Sequence, residues 1–138
     1  MIPLAFSTNA FKKNTLAEAI DAIAGIGYTG VELMADVPHA YPPGFDADQR
    51  TAIHQQLKSL NMTVSNVNAF THFAKGDTYH PTWIEDDADK RDLRIDHTRN
   101  CIELAAEFGV FVELEKGAGF GRGRLVDDQS VHAEGIGA

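Results

Sequence analysis

The feature that most constrains this chain is a cycle that runs three times: a short apolar strand, an amphipathic helix, a Gly or Asn stop, and the next strand. Residues 2–7 form the first apolar run, and Pro3 is compatible with the opening of a strand. A polar loop covers 9–14. Thr15 and Glu18 then stand at capping-box spacing, each able to satisfy a backbone donor near the other. Leu16, Ala19, Ile20, Ile23 and Ala24 recur with helical period, and Gly25 and Gly27 supply the stop. Residues 30–34 make the second strand. Three prolines within 36–45 enforce a loop. Asp46, followed by Gln49, opens a second helix with the stripe Ile53, Leu57 and Leu60, and Asn61 suits a left-handed terminator. Residues 62–68 alternate and are rich in β-branched side chains, which predicts a third strand. A long connection, 69–86, follows; such lengths are uncommon in compact domains and often carry function. The third helix is expected over about 87–108, with Ile95, Thr98, Ile102 and Ala105 on one face. Gly109 closes it before a fourth strand at 110–114.

Strands and helices in strict alternation specify an α/β fold with a parallel sheet. Right-handed crossovers place all three helices on one side if the sheet curls as a barrel. The expected architecture is therefore the first half of a (β/α)₈ barrel, four strands and three helices over residues 1–114. A Gly-rich loop or tail is expected over 115–138. An open flavodoxin-like sheet needs helices on both faces, which three helices barely supply.

Composition excludes some partners. Twenty acidic residues stand against twelve basic ones, a formal charge of −8. Nucleic-acid binding needs a basic face to neutralise phosphates, and no Lys/Arg cluster is present. No apolar run reaches the roughly 18 residues of a membrane span. Neither nucleic acid nor membrane is expected as a partner. The lone cysteine, Cys101, falls within a helical apolar pattern and reads as a packing residue. One thiol allows no internal disulfide, and no secretory signal is visible, so a cytoplasmic setting is expected. Gly117, Gly119, Gly121 and Gly123 do not make a dinucleotide fingerprint, since the sixth position from Gly117 or Gly119 is Arg122 or Arg124.

In a barrel of this kind, function gathers at the C-terminal ends of the strands. That rim collects Ser7, Asn9, Glu32, Asn66, Asn68 and either Glu113 or Glu115. The loops that follow add His39, His72, Tyr79 and His80. Glu32 lies among apolar strand residues, where a carboxylate is costly to bury unless paired. It reads either as a substrate or metal contact or as a structural group. His72 and His80 are too irregularly spaced for a standard metal motif and read as solvated loop residues. His97 either faces the rim or packs beside Trp83, and His54 faces solvent.

Three strings carry a resemblance: Phe6-Ser7-Thr8-Asn9-Ala10-Phe11, Gly27-Tyr28-Thr29-Gly30-Val31-Glu32-Leu33-Met34, and Gly76-Asp77-Thr78-Tyr79-His80-Pro81 leading to Arg94-Ile95-Asp96-His97-Thr98. Over roughly residues 4–110 the chain resembles the sugar phosphate isomerase/epimerase family, the xylose-isomerase-like TIM barrels. The resemblance implies proton transfer next to a sugar carbonyl. A divalent metal (Mn, Mg, Co or Zn) would act as Lewis acid and a carboxylate as general base. It implies a small sugar or sugar-phosphate substrate. Placed on the rim, it makes Glu32 and Glu115 the catalytic candidates. Asn9, Asn66, Asn68 and His80 become the substrate-binding candidates, and the metal ligands stay unassigned. The family's metal ligands and catalytic carboxylates lie mostly on later strands, and a full barrel takes about 250 residues. Where relatives carry a Thr-Glu-Pro-Gly-Gly type turn, this chain has Glu115-Lys116-Gly117-Ala118-Gly119, with no resemblance beyond. The missing ligands are therefore expected from a second chain, in a homo-oligomer that pairs strand edges. The alternative is a non-catalytic, self-associating half barrel.

Overall fold

A computed structural model of the protein describes residues 3–114. Four strands, β1 (Ala5–Ser7), β2 (Gly30–Met34), β3 (Thr63–Asn68) and β4 (Phe111–Glu113), alternate with three helices, α1 (Leu16–Ile26), α2 (Ala47–Ser59) and α3 (Ala88–Glu107). The sheet order is β1-β2-β3-β4, every neighbour parallel. That order has no reversal, so the flavodoxin-like alternative falls: a doubly wound sheet switches direction to cover its second face. Sequential order with helices on one side is the winding of a barrel. The expected tail at 115–138 lies outside the described residues.

Local chemistry sets the helix boundaries. Thr15 and Glu18 form the capping box at α1, and Asp46 and Gln49 form another at α2. Gly27 ends α1 with φ +104°, a left-handed conformation that costs glycine nothing. Asn61 takes φ +51° after α2, the role its short polar side chain allows. Gly25, also read as part of the stop, lies within the last turns of α1. The 9–14 loop is partly ordered, as a 3₁₀ turn over Thr8–Phe11.

The core is one cluster between sheet and helices. Ile20 and Ile23 of α1, Ile53 and Leu57 of α2, and Leu104 of α3 pack around Val31, Leu33 and Val67. Burying each such side chain stabilises by about 1.5–3 kcal/mol, and the strict alternation of strand side chains commits the opposite face to other work. Cys101 is fully buried in this cluster, as its helical position suggested.

The third helix departs from expectation. Its buried face is Arg94, His97, Cys101, Leu104 and Ala105; of the expected face only Ala105 is fully buried, Ile95 and Thr98 are half-buried, and Ile102 is exposed. Neither Arg94 nor His97 belonged to the apolar face read from the sequence; residues of the 69–86 segment pack on both and cover them. Arg94 stacks its guanidinium 4.6 Å from the Trp83 ring and donates to the Phe70 carbonyl. His97 stacks on His72, ring centroids 4.2 Å apart. His72 is therefore not a solvated loop residue: it is 3% exposed, as is His97. Desolvation lowers both imidazoles, His97 to about 4. The ring contacts of His97 are with His72 and Tyr41, while the Trp83 indole donates to Thr98. His54 is exposed, as expected, with its ring over Phe108.

Candidate functional site

The face of the sheet turned away from the helices ends in a row of polar side chains. Register puts Ser7 beside Glu32, Glu32 beside Asn66, and Asn68 beside Glu113. An irregularity between Val31 and Glu32 leaves Ser65 as the extra residue on β3. Without that bulge, Glu32 would face Ser65 rather than Asn66.

Glu32 is the centre of the row. Its Oε1 accepts from the Ser7 hydroxyl at 2.6 Å and from Asn68 Nδ2 at 3.1 Å. Its Oε2 accepts from Asn66 Nδ2 at 2.9 Å. The same Asn66 amide reaches Glu113 Oε2 at 3.3 Å and so bridges the two carboxyl groups. Desolvation pushes the Glu32 carboxyl upward, but hydrogen bonds from Ser7, Asn66, Asn68 and Glu113 outweigh it and hold the group below its ordinary range. The polar half-buried carboxylate is thus an ionised, fully oriented acceptor.

Beside this row lies an open cavity of about 510 Å³, walled by Ser7, Asn9, Glu32, Ser65 and Asn66 with apolar atoms of Ala5, Phe6 and Ala10. Asn9 enters the wall through the 3₁₀ turn, where its own N–H donates to Ser7 Oγ. Its Oδ1 is buried and lacks a hydrogen-bond partner within the described residues.

The structure therefore brings together Ser7, Asn9, Glu32, Asn66, Asn68 and Glu113 from the sequence-derived rim, and adds Ser65. His80 lies apart from the cavity wall. Its Nδ1 sits 2.7 Å from Glu85 Oε1, and this partner raises the imidazole above its ordinary value. The loop around it is pinned by Asp77, which accepts from the Tyr79 and His80 backbone amides. Glu115 lies outside the described residues. Ser65 escaped sequence reading because only the bulge gives it a place in the wall; a lone Ser in a β-branched run was its one signal.

A family model described as xylose isomerase-like TIM barrel matches residues 20–129, well over half of the chain. The chain belongs to the xylose isomerase-like TIM barrel family. The match begins inside α1 and runs past β4, farther than the motif resemblance, which stops near residue 110. No curated protein matches the chain. For a xylose isomerase-like TIM barrel, the polar row sits where the fold places function, at the C-terminal strand ends.

The described residues alone do not make a divalent metal centre. A catalytic site for a divalent ion typically supplies about three carboxylate, imidazole or thiolate side chains, with water completing the shell. No group of three or more such side chains is suitably placed among the described residues. Of the described rim groups only Glu32 and Glu113 are carboxylates, and Glu32 already has three side-chain donors.

Proposed function

We propose that the protein is a sugar isomerase or epimerase acting by proton transfer next to a carbonyl, with the polar row as its reacting half-rim. The observation that carries this reading is the pair of carboxyl groups, Glu32 and Glu113, bridged by Asn66 at the strand ends of a xylose isomerase-like barrel. Glu32, held ionised by the hydrogen bonds of Ser7, Asn66 and Asn68, serves as base toward a C–H beside a carbonyl, and the Glu113 carboxyl, which shares the Asn66 amide with it, exchanges a proton with the oxygen where charge develops. Ser7, Asn66 and Asn68 orient the base. Asn9 and Asn68 take substrate hydroxyls, and a divalent ion, if the reaction uses one, draws its ligands from beyond the described residues.

Incubating the protein with aldoses and ketoses in D₂O, with and without Mn²⁺, and following the hydrogen next to the carbonyl by NMR tests this. Exchange should occur and fall by about 10²-fold or more in Glu32→Gln and Glu113→Gln. Absence of exchange across pentoses and hexoses and their phosphates sinks the reading.

A second reading rests on the sheet's edges. Leu4, just before β1, and Phe6 within it are 64% and 37% exposed, and Phe111 of β4 is 37% exposed. Apolar residues at unpaired edges favour self-association, and a barrel closed by two copies would need no turnover. Native mass separates this reading: a monomer at micromolar concentration removes it, and a dimer that unfolds on dilution supports it.

A further inference from the structure

Strand pairing ends one residue past β3. The Asn68 carbonyl accepts from the Ala35 amide at 2.9 Å, and the Ala69 amide donates to the Glu113 carbonyl at 2.8 Å. Phe70 is the first residue beyond that ladder, yet side chains hold both of its backbone groups. Its N–H donates to Asn68 Oδ1 at 3.0 Å, and its carbonyl accepts from Arg94 Nη2 at 3.1 Å. A backbone N–H can only donate, so it decides which end of the Asn68 amide faces it. The carbonyl end turns to Phe70, and the NH₂ end is left for Glu32 Oε1, 3.1 Å away. With the amide turned over, acceptor would face acceptor. Arg94 itself is buried, on a helix face otherwise made of His97, Cys101, Leu104 and Ala105. Taking a guanidinium out of water is costly unless its donors find acceptors, and the Phe70 carbonyl is one of them.

We propose that Arg94 is a positioning residue for Glu32, acting through the Phe70 backbone and the Asn68 amide. The relay runs from α3 through the first loop residue to the end of β3, and then across to β2. Each link is directional: guanidinium and N–H groups donate, while carbonyl and carboxylate oxygens accept. Arg94 is not part of the cleft wall. Its effect reaches the carboxylate as one correctly turned donor, and a donor to a carboxylate favours the ionised form. This inference rests on the isomerase reading only in taking Glu32 as the base; the relay itself acts on how tightly Glu32 holds a proton.

The test follows the Glu32 side-chain carboxyl by ¹³C NMR titration in the full chain, which needs no turnover. Asn68→Ala should raise the Glu32 pKa by about one unit, and Arg94→Met by about half a unit or more. In the double variant the rise should match that of Asn68→Ala alone; a direct charge effect of Arg94 would persist without Asn68. Gly76→Ala disturbs the same segment beyond Phe70 with no change of charge, and should leave Glu32 unmoved. In the parent the Phe70 amide should be protected from hydrogen exchange, and Asn68→Ala should remove that protection. A Phe70 amide that exchanges freely in the parent overturns the relay even where Arg94→Met fails to fold. So does a Glu32 titration unmoved by Asn68→Ala or by Arg94→Met, additive shifts in the double variant, or an equal shift from Gly76→Ala. The two readings fail separately. The Glu32 shift without hydrogen exchange on any sugar removes the isomerase and leaves the relay. Exchange on a sugar, with Glu32 titrating alike in the parent and in Arg94→Met, does the reverse.

Discussion

Asp36 holds the 69–86 segment to the sheet, and replacing it by Asn should cost far more than the loss of one charge on a surface. The residue follows β2 and is 0% exposed. Its Oδ1 accepts from the amides of Val37 at 2.7 Å and Ala74 at 3.1 Å, and its Oδ2 accepts from the amide of Phe73. Two of the three bonds tie the start of the long loop to the rim. In Asp36→Asn the carbonyl can keep Val37 and Ala74, as neutral bonds. The new NH₂ then meets the Phe73 N–H, donor against donor. A bond to a charged group contributes about 1.5–3 kcal/mol, and a stranded buried donor costs about 1–3 kcal/mol. One such loss plus two weakened bonds comes to about 3 kcal/mol, given that the terms overlap. Asp36→Ala, which strands all three donors, should cost somewhat more. Urea unfolding measures the loss: with a slope of about 1–3 kcal/mol per molar, the midpoint should fall by about 1–3 M. Hydrogen exchange adds a local readout, since the Phe73 and Ala74 amides should lose protection ahead of those in β2. An Asn variant within about 0.5 kcal/mol of the parent, with the Phe73 amide still protected, would refute the argument.

Two further outcomes follow from the same segment. His97 is held to about 4 by burial and by the neighbouring His72, against an ordinary value of 6.5. Between those values the unfolded chain binds a proton that the folded protein refuses. Stability is therefore complete above pH 6.5 and declines as pH falls toward 4, by on the order of 3 kcal/mol. Urea midpoints at pH 7.5 and 4.5 check this, and a His97→Leu variant with an unchanged pH slope would contradict it. Gly76→Ala should distort the loop, because a Cβ there would lie 2.3 Å from the His80 carbonyl oxygen. Separation of the His80–Glu85 pair, read as a fall in the His80 pKa by NMR titration, is the expected sign, and an unaltered titration would count against it.

What the sequence disclosed was whatever local chemistry decides. The capping pairs Thr15/Glu18 and Asp46/Gln49 mark helix starts through bonds that span three residues, so spacing alone reveals them. The second strand, Gly30–Met34, emerged intact because it is buried along its length. Glu32, Asn66 and Asn68 were legible as rim residues once the strand ends were known. The failures were tertiary. Arg94 and His97 face inward only because Trp83 and His72 arrive from a distant loop, and no hydropathy pattern announces that. Asp36 looked like one more loop carboxylate, since its partners Phe73 and Ala74 lie 37 and 38 residues away. The cavity wall at Ser65 depends on a one-residue slip in strand pairing, which alternation cannot reveal.

The sequential sheet order bears on how the chain is made as well as on what it does. Each strand pairs with the one synthesised just before it: Ser7 meets Glu32 across 25 residues, Glu32 meets Asn66 across 34, and Asn66 meets Glu113 across 47. No described strand must wait for a later one in order to find its place. The sheet can grow in one direction as the polypeptide leaves the ribosome, each helix closing over its strand before the next emerges. The row of Ser7, Glu32, Asn66 and Glu113 follows that same order, so the site can be completed one residue per strand as each strand becomes available.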